Sequence, residues 1–209
     1  MISAEEALRR LEEGNRRFVA DAPSPETLER RAHRVGLAES QSPFAVILGC
    51  SDSRVPVEIV FDQGLGDLFV IRVAGNVVAP SQIGSVEFAA EAFGTRLVVV
   101  LGHSRCGAIR ATLDALQGPV TTHSRNLRSI VDRIRPALET LLASGRARDP
   151  QALEREAVRA NVRAAVEHLR HGSELLEQLI ARDGLLVVGA EYSLETGRVE
   201  FLGSGPRPA

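Results

Sequence analysis

The amino-acid sequence predicts an α/β fold: a mostly parallel central sheet of four strands plus a C-terminal antiparallel edge strand, flanked by helices. Apolar runs rich in β-branched residues occupy 44–49, 68–73 and 97–101 without polar alternation, the pattern of strands covered on both faces. Helical patterns lie between and after them, at about 82–93 and 108–116, so the first half reads β-α-β-α-β-α. A fourth apolar run at 185–188 leads into Tyr192-Ser193-Leu194, a turn at Glu195-Thr196-Gly197, and Val199-Glu200-Phe201. That sequence of signals is a hairpin with an antiparallel edge.

The remaining elements follow in chain order. Ser3 precedes Glu6 by three residues, a capping-box spacing, and Leu8, Leu11, Asn15 and Phe18 continue at mostly helical intervals. After the break at Pro23 and Pro25, a second polar helical stretch is expected over about 26–38, ended by Gln41-Ser42-Pro43. Residues 1–40 therefore read as an N-terminal helical arm. From about 126 to 182 the chain is charged and helical, broken near 145–150 and at Gly172, with Val158, Val162, Val166 and Leu169 on one stripe. Such helices pack on the sheet or on another subunit. Residues 203–209 read as a loose tail, and no linker or repeat divides the chain, so 1–209 is expected to be a single domain.

Composition narrows the function classes. A chain of 209 residues can bury a core without disulfides. A hydrophobic share of 44%, a charged share of 25% and a net charge of −2 fit a soluble protein with no general attraction to nucleic acid or anionic membrane. No apolar run approaches the roughly 18 residues of a membrane span, and Met1-Ile2-Ser3-Ala4-Glu5-Glu6 lacks the basic and apolar segments of a signal peptide. A cytoplasmic location is expected. All 25 basic residues are arginine, which excludes Schiff-base and P-loop lysines. The arginines at 30, 31, 34, 125 and 128 read as solvated faces or intersubunit ion pairs, and the histidines at 33, 123, 168 and 171 as solvated surface positions.

The chemistry-bearing residues form two clusters. Cys50-Ser51-Asp52-Ser53-Arg54 begins where the first predicted strand ends, and His103-Ser104-Arg105-Cys106 where the third ends. In open α/β sheets the carboxyl ends of strands are where ligands bind. Two thiolates, an imidazole and a carboxylate suffice for a tetrahedral zinc shell. Cys-x-Asp or His-x-x-Cys alone is a weak signal; the joint placement at two strand ends carries the metal reading. The plain alternative is a pair of buried structural cysteines.

Cys-Ser-Asp-Ser-Arg at 50–54, followed about fifty residues later by Gly-His-Ser-Arg-Cys-Gly at 102–107, resembles the signature of the β-class carbonic anhydrases. The likeness extends from about Glu5 to Leu202, through Gln41-Ser42-Pro43, the segment 62–70, the segment from Arg72 to Asn76, and Gly84-Ser85-x-Glu87, and is strongest to the actinobacterial branch. The resemblance implies reversible hydration of CO2 to bicarbonate and a proton, by attack of zinc-bound hydroxide, with one Zn2+ per subunit. It implies Cys50, His103 and Cys106 as constant ligands. Asp52 would either ligate zinc and close the site or turn to Arg54 and leave a position open. Gln41, reaching across a subunit boundary, and the Gly107 amide would donate hydrogen bonds to substrate, and Phe69 would line the apolar side of the CO2 pocket. A homodimer or homotetramer is the expected assembly. Some bacterial members carry a second, non-catalytic bicarbonate pocket built partly on a Trp three residues before the first Cys; here that residue is Ile47, although Gly49 and Tyr192 match other parts of it. Hydrolysis of CS2 or COS on the same fold, a non-catalytic zinc or bicarbonate sensor with Asp52 on the metal, and a redox role for Cys50 and Cys106 are the alternatives.

Overall fold

Strands β1 (Ala45–Gly49) and β3 (Leu97–His103) are buried at every position, as their unbroken apolar runs require. The structure, a computed structural model, describes residues 2–25, 27, 34–118, 124–145 and 149–203. With β2 (Leu68–Arg72), β4 (Leu186–Tyr192) and β5 (Val199–Leu202), they form one sheet in the order β2-β1-β3-β4-β5. The first four strands are parallel and β5 runs antiparallel to β4, the arrangement expected from the sequence. The chain leaves β1 toward β2 and leaves β3 toward β4, so the adjacent ends of β1 and β3 are the switch point of the sheet.

Seven α-helices occur among the described residues: α1 (Ala4–Val19), α2 (Val57–Val60), α3 (Pro80–Ala92), α4 (Gly107–Gln117), α5 (Arg125–Ser144), α6 (Pro150–His171) and α7 (Glu174–Arg182). Alternate strand residues feed two cores. Val46, Leu48, Val98, Val100 and Val187 pack with residues of α3, α6 and α7, while Ala45, Ile47, Leu97, Val99, Leu101 and Val188 pack with α1 and Phe61. The Ser3 side chain accepts from the Glu6 amide as the capping spacing predicts, and Ser124, Asp149 and Ser173 cap α5, α6 and α7 in the same way. Asn15 ties the first helix down: its amide donates to the Val60 and Gly197 carbonyls and its oxygen accepts from the Val199 amide.

Helix α6 lies directly on the sheet because two strand residues have no side chain. A Cβ on Gly102 would come within 2.6 Å of Val162 Cγ2 and 3.0 Å of Val158 Cγ1, and one on Gly189 within 2.6 Å of Val162 Cγ1. The same helix carries the predicted stripe Val158, Val162, Val166 and Leu169, all buried.

Several boundaries differ from the sequence-based ones. β3 and β4 run on to His103 and Tyr192 because those two residues are still paired in the ladder. Residues 26 and 28–33 lie outside the described ones, so the second arm helix is described only at Thr27 and from 34 onward, where 34–37 form a 3-10 turn. Helix α2 and a 3-10 turn at Ala74–Asn76 are too short to leave a periodic trace. Of the predicted tail only Gly203 is described. Among the described residues no helix is long and apolar enough to cross a membrane.

The close seat of α6 yields a stability test. Gly189→Ala should destabilise the protein by about 1–3 kcal/mol through overpacking, read as a lower midpoint in thermal denaturation. Adding Val162→Ala, which removes the obstructing methyls, should recover part of that loss.

Candidate metal centre

Three of the sequence-predicted ligands meet at the switch point. Cys50 follows β1, His103 is the last residue of β3, and Cys106 is the N-cap of α4. The nearest ligand atoms of Cys50, His103 and Cys106 lie within 4.8 Å of one another, and all three residues are buried. This is the one such group of three or more His, Cys, Asp or Glu among the described residues.

The imidazole is set to ligate. His103 Nδ1 lies 2.9 Å from the Ser104 carbonyl oxygen, and a carbonyl only accepts, so Nδ1 carries the proton and Nε2 the lone pair. Nε2 is fully buried and has no hydrogen-bond partner, a costly arrangement unless a Lewis acid faces it. Ser104 is itself fixed: its amide donates to the Tyr192 carbonyl, its hydroxyl donates to Glu195 and accepts from the Leu194 amide, and Arg105 pairs with the same Glu195.

The thiols behave as a pair. Interaction with Cys106 is the largest influence on Cys50, and together with the Gly75 and Asp52 backbone it outweighs burial and holds Cys50 well below the usual thiol range. Cys106 is pushed up by that same bond and by burial. The two thiols thus differ in acidity, and a cation at this point would favour the deprotonated form of both. The donor set of two sulfurs and one imidazole nitrogen, the orphaned Nε2 and the acidic thiol together fit zinc.

Asp52 stands apart from the three. Its carboxylate takes a two-point grip from Arg54, with Nε to Oδ1 at 2.9 Å and Nη2 to Oδ2 at 2.7 Å, and also accepts from the Arg54 amide at 3.0 Å. Hydrogen bonding from Arg54 is the main reason its carboxyl lies far below the usual carboxylate range. Oδ2 remains 3.9 Å from His103 Nε2, close to the ligand cluster yet committed elsewhere.

The other predicted residues are dispersed. Gly107 is the first residue of α4 and exposed, its amide among those a helix start leaves without an intrahelical partner. Gln41 is exposed. Phe69 pairs in register with Val46, four residues before Cys50 and so about 13 Å back along the strand; its ring packs against Phe88 and Phe93. Ile47 is fully buried in the same core as Tyr192.

Sequence reasoning overlooked the groups that hold the ligand loops. Arg72, at the end of β2, donates to the carbonyls of Cys50 at 3.1 Å and Asp52 at 2.6 Å. The Gly75 amide donates to Cys50 Sγ at 3.3 Å, and Asn161 Nδ2 donates to the Gly75 carbonyl at 2.9 Å. One signal was legible: Asn161 is a polar residue on the otherwise apolar stripe of α6.

Comparison with known proteins agrees with this geometry. The family model for carbonic anhydrase matches residues 45–199. Carbonic anhydrase 2 of Mycobacterium tuberculosis is 43% identical over 192 residues, covering 92% of this chain and 89% of its own. The carbonic anhydrase of Mycolicibacterium smegmatis is 43% identical over 198 residues, covering 93% and 91%. Among solved structures, the Coccomyxa β-carbonic anhydrase in complex with acetazolamide superposes with a TM-score of 0.73 at 27% identity, over 93% of this chain and 86% of that one. The chain belongs to the carbonic anhydrase family, in its β class, and its reaction is the hydration of CO2.

The Asp52–Arg54 pair predicts a titration. Because the folded carboxyl is depressed, the stability it contributes is complete above the ordinary carboxylate value of about 3.9 and is lost only as pH falls through the lower folded value. Arg54→Met should therefore raise the Asp52 midpoint toward the ordinary range, followed by carboxyl-carbon NMR on the metal-free protein. An unmoved midpoint would contradict the assignment.

Proposed function

We propose that this protein hydrates CO2 at zinc held by Cys50, His103 and Cys106, with Asp52 and Arg54 organising the attacking water. The observation that carries the reading is the buried, unpartnered His103 Nε2 beside two sulfurs, with the Asp52 carboxylate 3.9 Å away held by an arginine. Zinc bound by three protein ligands would supply a Lewis acid with one open position, where a water's pKa falls to about 7.

The chain's own groups do the rest. Asp52, ionised through the neutral range, is an acceptor only, and it takes the hydrogen bond of the attacking water and so fixes its lone pair toward carbon. Arg54 holds that carboxylate by two parallel bonds, which supports an open site over a closed sensor with Asp52 on the metal. The Gly107 amide, at the positive end of α4, is suited to the oxygen on which negative charge develops as bicarbonate forms.

Gln41 and Phe69 serve this reaction from a second subunit, in a homodimer or homotetramer. Support comes from Phe88, 54% exposed beside Phe69 next to the edge strand β2, an aromatic surface suited to a partner chain. Two free, buried cysteines so close together fit a reducing compartment, the cytoplasm.

Stopped-flow CO2 hydration on zinc-loaded protein between about pH 6.5 and 9 should show activity that rises with pH, disappears on chelation and returns with zinc. Cys50→Ala and His103→Ala should lose metal and activity together, and Asp52→Ala should keep metal but lose most activity. Inactivity throughout the range would overturn the catalytic reading, and an active, zinc-bearing Cys50→Ala protein would overturn the ligand set. Mixing Gln41→Ala chains with Cys50→Ala chains should give more activity than either alone, because a hybrid pairs one intact metal site with one intact Gln41; a strictly monomeric protein would refute the shared site.

A further inference from the structure

We infer that Asn161 of α6 is a positioning residue for the ligand Cys50, acting through the backbone of Gly75. The inference rests on the zinc reading above. Asn161 is 5% exposed, and its Nδ2 donates to the Gly75 carbonyl at 2.9 Å. On the other side of the same Cα, the Gly75 amide donates to Cys50 Sγ at 3.3 Å. Holding the carbonyl therefore limits the rotation that aims the amide, and an N–H directed at a thiolate fixes the direction from which its remaining lone pairs face a metal.

Residue 75 is confined from every side. Its φ of 67° lies in the left-handed region, where a side chain is strained. A Cβ there would also stand 2.8 Å from Ile134 Cδ1 on α5 and 3.0 Å from the Ala108 Cβ on α4. Two helices thus press the turn from one side and the Asn161 amide holds it from another. Asparagine is a poor choice for a buried helix interior on intrinsic grounds, and a Leu there would extend the apolar stripe. The donor to Gly75 is what distinguishes it. Without that donor the Gly75 carbonyl loses its restraint, and a carbonyl swung toward sulfur would repel the thiolate.

The test compares zinc affinity, by chelator competition, and the thiolate-to-cobalt charge-transfer band of the Co(II)-substituted protein in wild type, Asn161→Leu and Val166→Ala. Val166→Ala loosens α6 on the sheet without touching the relay, so it should lower thermal stability and leave affinity and band unchanged. Asn161→Leu should weaken zinc binding by about tenfold or more and shift the band. If Asn161→Leu does not fold, Asn161→Asp, of the same size and without the donor, should give the same two changes. Affinity within about twofold of wild type with an unmoved band would overturn the inference, as would an equal loss in Val166→Ala. A wild-type protein lacking the band would overturn the zinc reading itself.

Discussion

Seating α6 flat on β3 and β4 requires that no side chain stand between helix and sheet, and the site inherits its geometry from that requirement. Gly102 admits Val158 and Val162 immediately before His103, so the depth at which the helix sits bears on where the imidazole emerges. One turn of the same helix brings Asn161 to Gly75 and, through it, to Cys50. Both ligand loops are thus referenced to one rigid element, although they leave different strands. Cys106, capping α4, completes the group from a third direction.

Charge at the site is arranged in two separate compartments. The sulfurs are buried, while Asp52 and Arg54 neutralise each other nearer the surface, half-buried against exposed. Keeping the carboxylate on the guanidinium offsets its charge beside the acidic Cys50 thiol, where like charges in low dielectric repel strongly. Arg72, exposed at the end of β2, adds a cation whose hydrogen bonds go to backbone carbonyls. It braces the loop through its donors.

Much of this was legible in the sequence because strands buried on both faces announce themselves as unbroken apolar runs, and because only two cysteines exist to be placed. Both lie just beyond strand ends, so predicting the strands predicted the meeting point. The fourth ligand was less determined: Asp52 lies next to Arg54 in sequence, and residue types alone cannot say which partner the carboxylate takes. The braces were hidden for a different reason. Gly75 and Asn161 are separated by 86 positions, and Ser104 and Glu195 by 91, with no periodicity linking them. Phe69 matches a motif by sequence, but its packing against Phe88 and Phe93 joins residues 19 and 24 positions away, a contact that no local pattern announces.

The grip of Arg54 on Asp52 is made between residues two apart in the chain. Parting the pair therefore needs rotation about the bonds of two side chains, events of picoseconds to nanoseconds at exposed positions. In the proposed reaction, control of the open position by such a pair would exchange far faster than a domain or subunit motion. It would show itself as a constant fraction of molecules ready to react, never as a lag at the start of a progress curve.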